Sequence, residues 1–208
     1  MRIANYRLAT FSASEAERIA FVSPTQQRDW RRHGYLPKQL GHARFNIFDL
    51  AEMRAMAFFS EFGIGPEIAH QYSSTVGNMI AYWALKLRIS YDTWPENYSE
   101  SDIGERIFRE NNRTCRAEKY FVFWADRTIT FTDDLNSAFD RNSTPVEAVR
   151  QQFKPAIVFQ MPQIGAEFIS TDQSNGNWTP FVFLRFEDEK SPLEASFEGD
   201  VVNPKTKR

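Results

Sequence analysis

With 208 residues, 42% of them apolar, the chain is long enough for one large or two small domains and can fill a core. It holds no run of about 18 apolar residues, which excludes a membrane-spanning helix. A single Cys115 and three His exclude an intrachain disulfide and leave no metal-ligand spacing, and the formal net charge is only −2.

The first residues, Met1 to Phe11, suit either a short strand or an arm. Ser12-Ala-Ser-Glu15 and Ser23-Pro24-Thr25-Gln26 then read as capping boxes, each predicting that a hydroxyl takes an orphan amide while the residue three on reaches back. Pro24 suits a first helical position, where its missing N–H is not needed. The first helix, about Ala13 to Ala20, places Ala16, Ile19 and Ala20 on one side, so it lies on a core. The second, Thr25 to His33, has Trp30 as its one large apolar side chain, and a helix so polar calls for solvent or a polar partner. Trp30 itself is read as a packing residue, with its indole N–H as a donor to phosphate as the other reading.

After Gly34, Tyr35-Leu36-Pro37 leaves the helix, and Lys38 to Arg44 forms a short basic loop closing on Phe45. Between Arg18 and Arg44 there are six Lys or Arg (18, 28, 31, 32, 38 and 44) and one acid, Asp29. Basic charge thus gathers on the polar helix and its loop in a chain that is slightly acidic as a whole, the footprint of a phosphate-directed surface.

These residues resemble the MerR-type winged helix-turn-helix family. The likeness is carried by Ser14-Glu15-Ala16, Val22-Ser23-Pro24, Arg28-x-Trp30-x-Arg32-x-Gly34, Leu36-Pro37, Phe45 and Asp49-Leu50, followed by Gly63-Ile64-Gly65-Pro66, and covers roughly the first 70 residues. Two positions depart from the family pattern. Phe21 stands where the turn usually has Gly, and Ala43 where the wing usually has Arg, which moves the expected wing contact to Arg44 or His42. The resemblance implies duplex DNA binding as a homodimer, with the second helix in the major groove and the wing on the backbone. The expected DNA-binding residues are Thr25, Gln26, Gln27 and Arg28 toward base edges, and Arg31, Arg32, Lys38, His42 and Arg44 toward phosphates.

Asn46-Ile-Phe-Asp49 caps a third helix, with Leu50, Met53, Met56 or Ala57, and Phe58 on its core side, and Gly63 ends it. Gly65-Pro66 opens a longer helix to about Ser90, whose stripe of Ile68 or Ala69, Tyr72, Val76, Met79 or Ile80, Trp83 and Leu87 suits a core or a second copy of itself. Asp92 to Ser101 reads as a connection. Tyr120 to Trp124 and Arg127 to Phe131 form an expected hairpin of β-branched and aromatic residues, for which ordinary sheet packing outweighs a ligand cavity. Thr144-Pro145-Val146-Glu147 opens a helix to about Phe153, Ala156 to Phe159 and Phe181 to Phe186 are strands, Gln163 to Ile169 is a helix, and Asn175-Gly176 is a turn near Trp178.

The expected fold class is therefore α+β. A winged helix-turn-helix occupies 1–72, a linking or dimerisation helix and connection 73–102, an α+β effector or oligomerisation module built on one sheet 103–186, and a disordered tail 187–208. No Gly-rich phosphate loop, nucleophile elbow or Cys–His motif is present, and Asp133-Asp134 is better read as a helix cap than as a catalytic pair, so no enzyme and no cofactor is expected. The expected function is a sequence-specific transcriptional regulator. It is expected to be cytoplasmic and nucleoid-associated, without a signal peptide, to have no membrane partner, and to have an unidentified small-molecule effector or none. The alternatives are an architectural or excisionase-like DNA-binding protein without an effector, and a non-DNA interaction protein using the same fold.

Overall fold

Ser12 opens the first helix as its sequence requires. Its Oγ accepts from the Glu15 amide, while the Glu15 carboxylate accepts from the Ser12 amide at 2.6 Å. The computed structural model in which this is seen describes residues 3–37, 43–93, 100–135, 155–170 and 180–186. The helix is α1 (Ala13–Ala20) and follows strand β1 (Ile3–Leu8). Ser23 caps α2 (Pro24–Arg32) from one side only, its Oγ accepting from Gln26 N at 3.2 Å, with Pro24 in the first turn. Asn46 and Asp49 form a complete capping box at the start of α3 (Ile47–Glu61).

Gly63 ends that helix with φ +76, and Gly65 is the N-cap of α4 (Pro66–Leu85), which has Pro66 in its first turn. A short 3₁₀ turn, Arg88–Ser90, follows α4, so the helix stops earlier than its apolar spacing suggests. The rest of the chain supplies α5 (Glu100–Glu110), β2 (Tyr120–Trp124), β3 (Ile129–Thr132), β4 (Ala156–Gln160), α6 (Met161–Ser170) and β5 (Val182–Phe186). The fold is α+β, with helices and small antiparallel sheets together. No helix among the described residues is long and apolar enough to cross a membrane.

The strands are divided between two sheets, and this corrects the expectation of a single C-terminal sheet. β2 pairs with β3 and with β4, giving the order β3-β2-β4, and Phe121 sits opposite Phe131 on one side and Phe159 on the other. β5 instead pairs antiparallel with β1, Tyr6 opposite Leu184, and so settles the ambiguity of the first residues in favour of a strand. The connection after α4 helps hold β5 in place. Asp92 N donates to the Val182 carbonyl at 3.1 Å, and the Asp92 carboxylate accepts from Leu184 N at 2.9 Å. Phe181, at the start of this segment, stacks on Phe168 of α6 and meets Phe11, with ring centroids 5.4 Å apart in both cases.

The apolar stripe of α4 is consumed within the chain. Ala69, Val76, Met79 and Ile80 are buried, and Ile68, Tyr72, Trp83 and Leu87 are partly buried and packed against the core. A Cβ added to Gly77 would come within 2.8 Å of the Glu52 backbone on α3, and one on Gly165 of α6 within 2.7 Å of Trp83. Small residues thus let α3 and α6 approach α4 closely, and this stripe is core rather than a surface for a second copy. At the sheet end of the core, fully buried Phe59 meets Tyr72, Phe121, Phe123 and Phe159 at centroid distances of 5.4–6.2 Å. Burying such a ring contributes about 1.5–3 kcal/mol. One buried cluster includes residues from each of the three segments expected at 1–72, 73–102 and 103–186, among them Ile19, Met79 and Phe121.

Helix α5 was not foreseen, and its Ile103, Ile107 and Phe108 are buried, with Phe108 edge-on to Phe48 at 5.1 Å. The Asp133 carboxylate accepts from Lys119 N at 3.1 Å, beside the hairpin's open end, and Asp134 directly precedes Leu135, which has helical backbone. The helix expected at 144–153, the turn at Asn175-Gly176, Trp178 and the tail 187–208 lie outside the described residues.

Candidate nucleic-acid interface

Helices α1 and α2 are joined at Phe21, whose φ of +58 is the left-handed conformation that glycine adopts without strain. The Phe21 ring is half exposed, and the Arg54 guanidinium lies over it at 4.4 Å and over Phe58 at 3.9 Å. Arg54 also pairs with Glu61 at 3.2 Å, so this buried cation has both aromatic faces and a carboxylate as partners. A non-glycine turn is thus covered from α3.

Inside the corner lies Gln27, fully buried. Its Nε2 donates to the Ala13 carbonyl at 3.0 Å and to the Val22 carbonyl at 2.7 Å, and among the described residues its Oε1 has no partner. This overturns its expected place among the base-reading residues. A side chain with no exposed surface and its amide committed to two carbonyls ties α1 and the turn to α2. Trp30 is buried as well, as its packing reading requires. Both residues fix the inner face of α2, so its outer face is the polar remainder.

On that outer face Thr25, Arg28, Arg32 and His33 are exposed, and Gln26 is partly so. Arg28 donates to Thr25 Oγ1 at 3.1 Å, which aligns the guanidinium along the first turn. Arg32 pairs with Asp29 at 2.8 Å, an exposed contact that competes only weakly with another anion. Arg31 is partly buried, with Nε donating to the Gln27 carbonyl at 3.2 Å and the guanidinium over Phe45 at 5.7 Å. Phe45 is in turn bridged to Phe11 by two backbone hydrogen bonds of 2.8 and 2.9 Å, a short antiparallel ladder from which Arg44 stands exposed. Arg44 and Arg18 both act electrostatically on Glu15. The Ser12 hydrogen bonds, first from its side chain and then from its backbone, and then these two cations hold the Glu15 carboxyl below the usual glutamate value.

The structure therefore brings Thr25, Gln26, Arg28, Arg32 and Arg44 to accessible positions, leaves Arg31 half committed to its own helix, and removes Gln27. Lys38 and His42 lie outside the described residues. Past Gly34, at φ +81, Tyr35 stacks on His33 at 5.9 Å and meets His70 of α4 at 5.5 Å. This contact joins the end of α2 to the start of α4, and no spacing in the sequence announces it. A hollow of about 410 Å³ with a mixed lining lies along the same flank, between Ser23, Gln26, Asp29, Trp30 and His33 of the α2 region and Tyr35 and Pro66. Among the described residues no group of three or more His, Cys, Asp or Glu is placed to hold a metal ion. No protein-family model matches this chain, and no curated protein matches it significantly.

Proposed function

We propose that the chain is a sequence-specific duplex-DNA-binding transcriptional regulator of the MerR-like type, with α2 as the major-groove helix and the segment that closes on Phe45 as its wing. The observation that carries this reading is the division of α2. Its buried side, Gln27 and Trp30, is locked to the rest of the fold, while its outer side offers Thr25, Gln26, Arg28 and Arg32 beside Arg44. Guanidinium and amide groups of this kind recognise phosphate oxygens and base edges. Base reading falls to Thr25, Gln26 and Arg28 at the N-terminal end of the helix. Arg31, Arg32, Arg44, Lys38 and His42 serve the backbone. Binding as a homodimer remains part of the proposal, through a surface other than the α4 stripe that the core occupies. The segments after α4 sense an effector or join subunits.

Fluorescence anisotropy on duplexes at several salt concentrations tests the reading. Log K is expected to fall against log salt with a slope of about −0.9 for each phosphate neutralised. Arg28→Ala relaxes preference at one step of the site, whereas Arg44→Ala weakens preferred and scrambled duplexes alike and lowers the slope by about one unit. A flat salt dependence, or no binding to any duplex at low salt, rejects the proposal. Equal weakening of both duplexes by Arg28→Ala would reverse the assignment of roles along α2.

A further inference from the structure

A groove of about 370 Å³ separates the turn from α3 into α4 from the sheet. Its walls are Ile64 and Ile68 on the helical side and Phe123, Ala156 and Ile157 on the strands, with Arg127 at the β2–β3 turn. Carbon lines most of this space, and Arg127 is the cation in its lining.

Arg127 is fixed at its backbone and open at its side chain. Its φ is +65, its N–H donates to the Trp124 carbonyl at 2.8 Å, and its own carbonyl accepts from Tyr72 OH at 2.8 Å. The residue is exposed, and among the described residues its guanidinium has no hydrogen bond or ion pair. Small-molecule sites pair an apolar lining with a few polar groups that set the ligand's orientation. Here the wall accepts any alkyl chain or aryl ring, and the charge at the rim selects the head group. A carboxylate gains a charge-assisted bond to the guanidinium, an alcohol gains little, and an ammonium is repelled. The volume lies near the lower end of the range for ligand pockets, roughly 300–1,000 Å³, which suits one medium-length chain or a single ring.

We propose that this groove binds a small apolar monocarboxylate, its chain against Ile64, Ile68, Phe123 and Ile157 and its carboxylate on Arg127. The site stands apart from the DNA reading, since none of its residues belongs to α1, α2 or the Phe45 segment. It is tested on the free protein, so either reading can fail alone.

Titration calorimetry with octanoate, octanol and octylammonium on the full chain is the experiment. One-to-one binding of octanoate is expected, with the other two about tenfold weaker or more. Arg127→Gln is expected to bring octanoate down to the level of octanol and to leave octanol unchanged, because the exposed side chain supports nothing else. Ile157→Trp fills the groove and is expected to weaken both, with circular dichroism verifying the fold. Absence of octanoate binding at millimolar concentration, equal affinity for the three probes, or octanoate binding unaltered in Arg127→Gln overturns the proposal.

Discussion

Replacing Gln27 by Met tests the most consequential departure of the structure from the sequence reading. Met keeps the length and most of the volume of the side chain but cannot donate, so the carbonyls of Ala13 and Val22 lose their bonds of 3.0 and 2.7 Å inside the helix corner. The bond to Val22 is the buried one, and leaving that acceptor unpaired costs about 1–3 kcal/mol, while Ala13 is part-buried in the first turn of α1 and loses less. The loss is offset in part because the substitution also removes Oε1, which is buried without a partner among the described residues. The net destabilisation is about 2 kcal/mol. For a protein of this size that lowers the melting temperature by roughly 4–8 °C. Urea unfolding followed by tryptophan fluorescence measures the first quantity and a calorimetric scan the second. Gln26→Ala, at a partly exposed position of the same helix, serves as the control and is expected to change stability by less than about 0.5 kcal/mol. If Gln27→Met leaves stability unchanged and instead alters preference among duplexes, Gln27 faces outward and the packing of α1 on α2 is misassigned.

Gly77→Ala and Gly165→Ala each press a methyl group against a neighbouring helix, and the steric cost outweighs the helix propensity gained, for a net loss of about 1–2 kcal/mol by urea titration. A neutral or stabilising result at either position would show that α3 or α6 lies farther from α4. Val76→Asp places a carboxylate where only 1% of the residue is exposed, so the chain is expected to unfold or lose its cooperative transition, and a folded monomer seen by light scattering would return the α4 stripe to a dimer interface. The Glu15 carboxyl titrates lower in the folded chain than in the unfolded one, so its contribution is fully present above the unfolded value and is lost as pH falls through the depressed folded value. Glu15→Gln is therefore expected to flatten the acid limb of a stability profile taken from neutral pH to about pH 3, and an unaltered limb counts against the Ser12 box.

Much of the helical framework was legible in the sequence because its signals are local. Ser12 with Glu15, Asn46 with Asp49, and Gly65 with Pro66 each act within three residues, and each marks a helix start found in the structure. The aromatic hairpin likewise follows from its β-branched and aromatic residues, although its second strand begins at Ile129 rather than Arg127, and its opposition of Phe121 and Phe131 needs no distant partner. Helix α5 escaped because only Ile103, Ile107 and Phe108 carry its apolar face, and Gly104 lowers helix propensity between them.

Tertiary structure decided the matters that depend on residues far apart in the chain. Whether Gln27 reads a base or ties a corner was settled by carbonyls 14 and 5 residues away, and a polar side chain's burial is invisible to composition. The apolar stripe of α4 fitted a core and a second copy equally well, since periodicity reports that a face is covered and not by what, and close approach at Gly77 and Gly165 assigned it to α3 and α6. The pairing of β1 with β5 joins residues near opposite ends of the described chain. The groove at Arg127 assembles from the segments near residues 64, 125 and 156, none with a motif of its own. Local chemistry fixes where helices and turns begin, while long-range packing determines which of their faces remain for function.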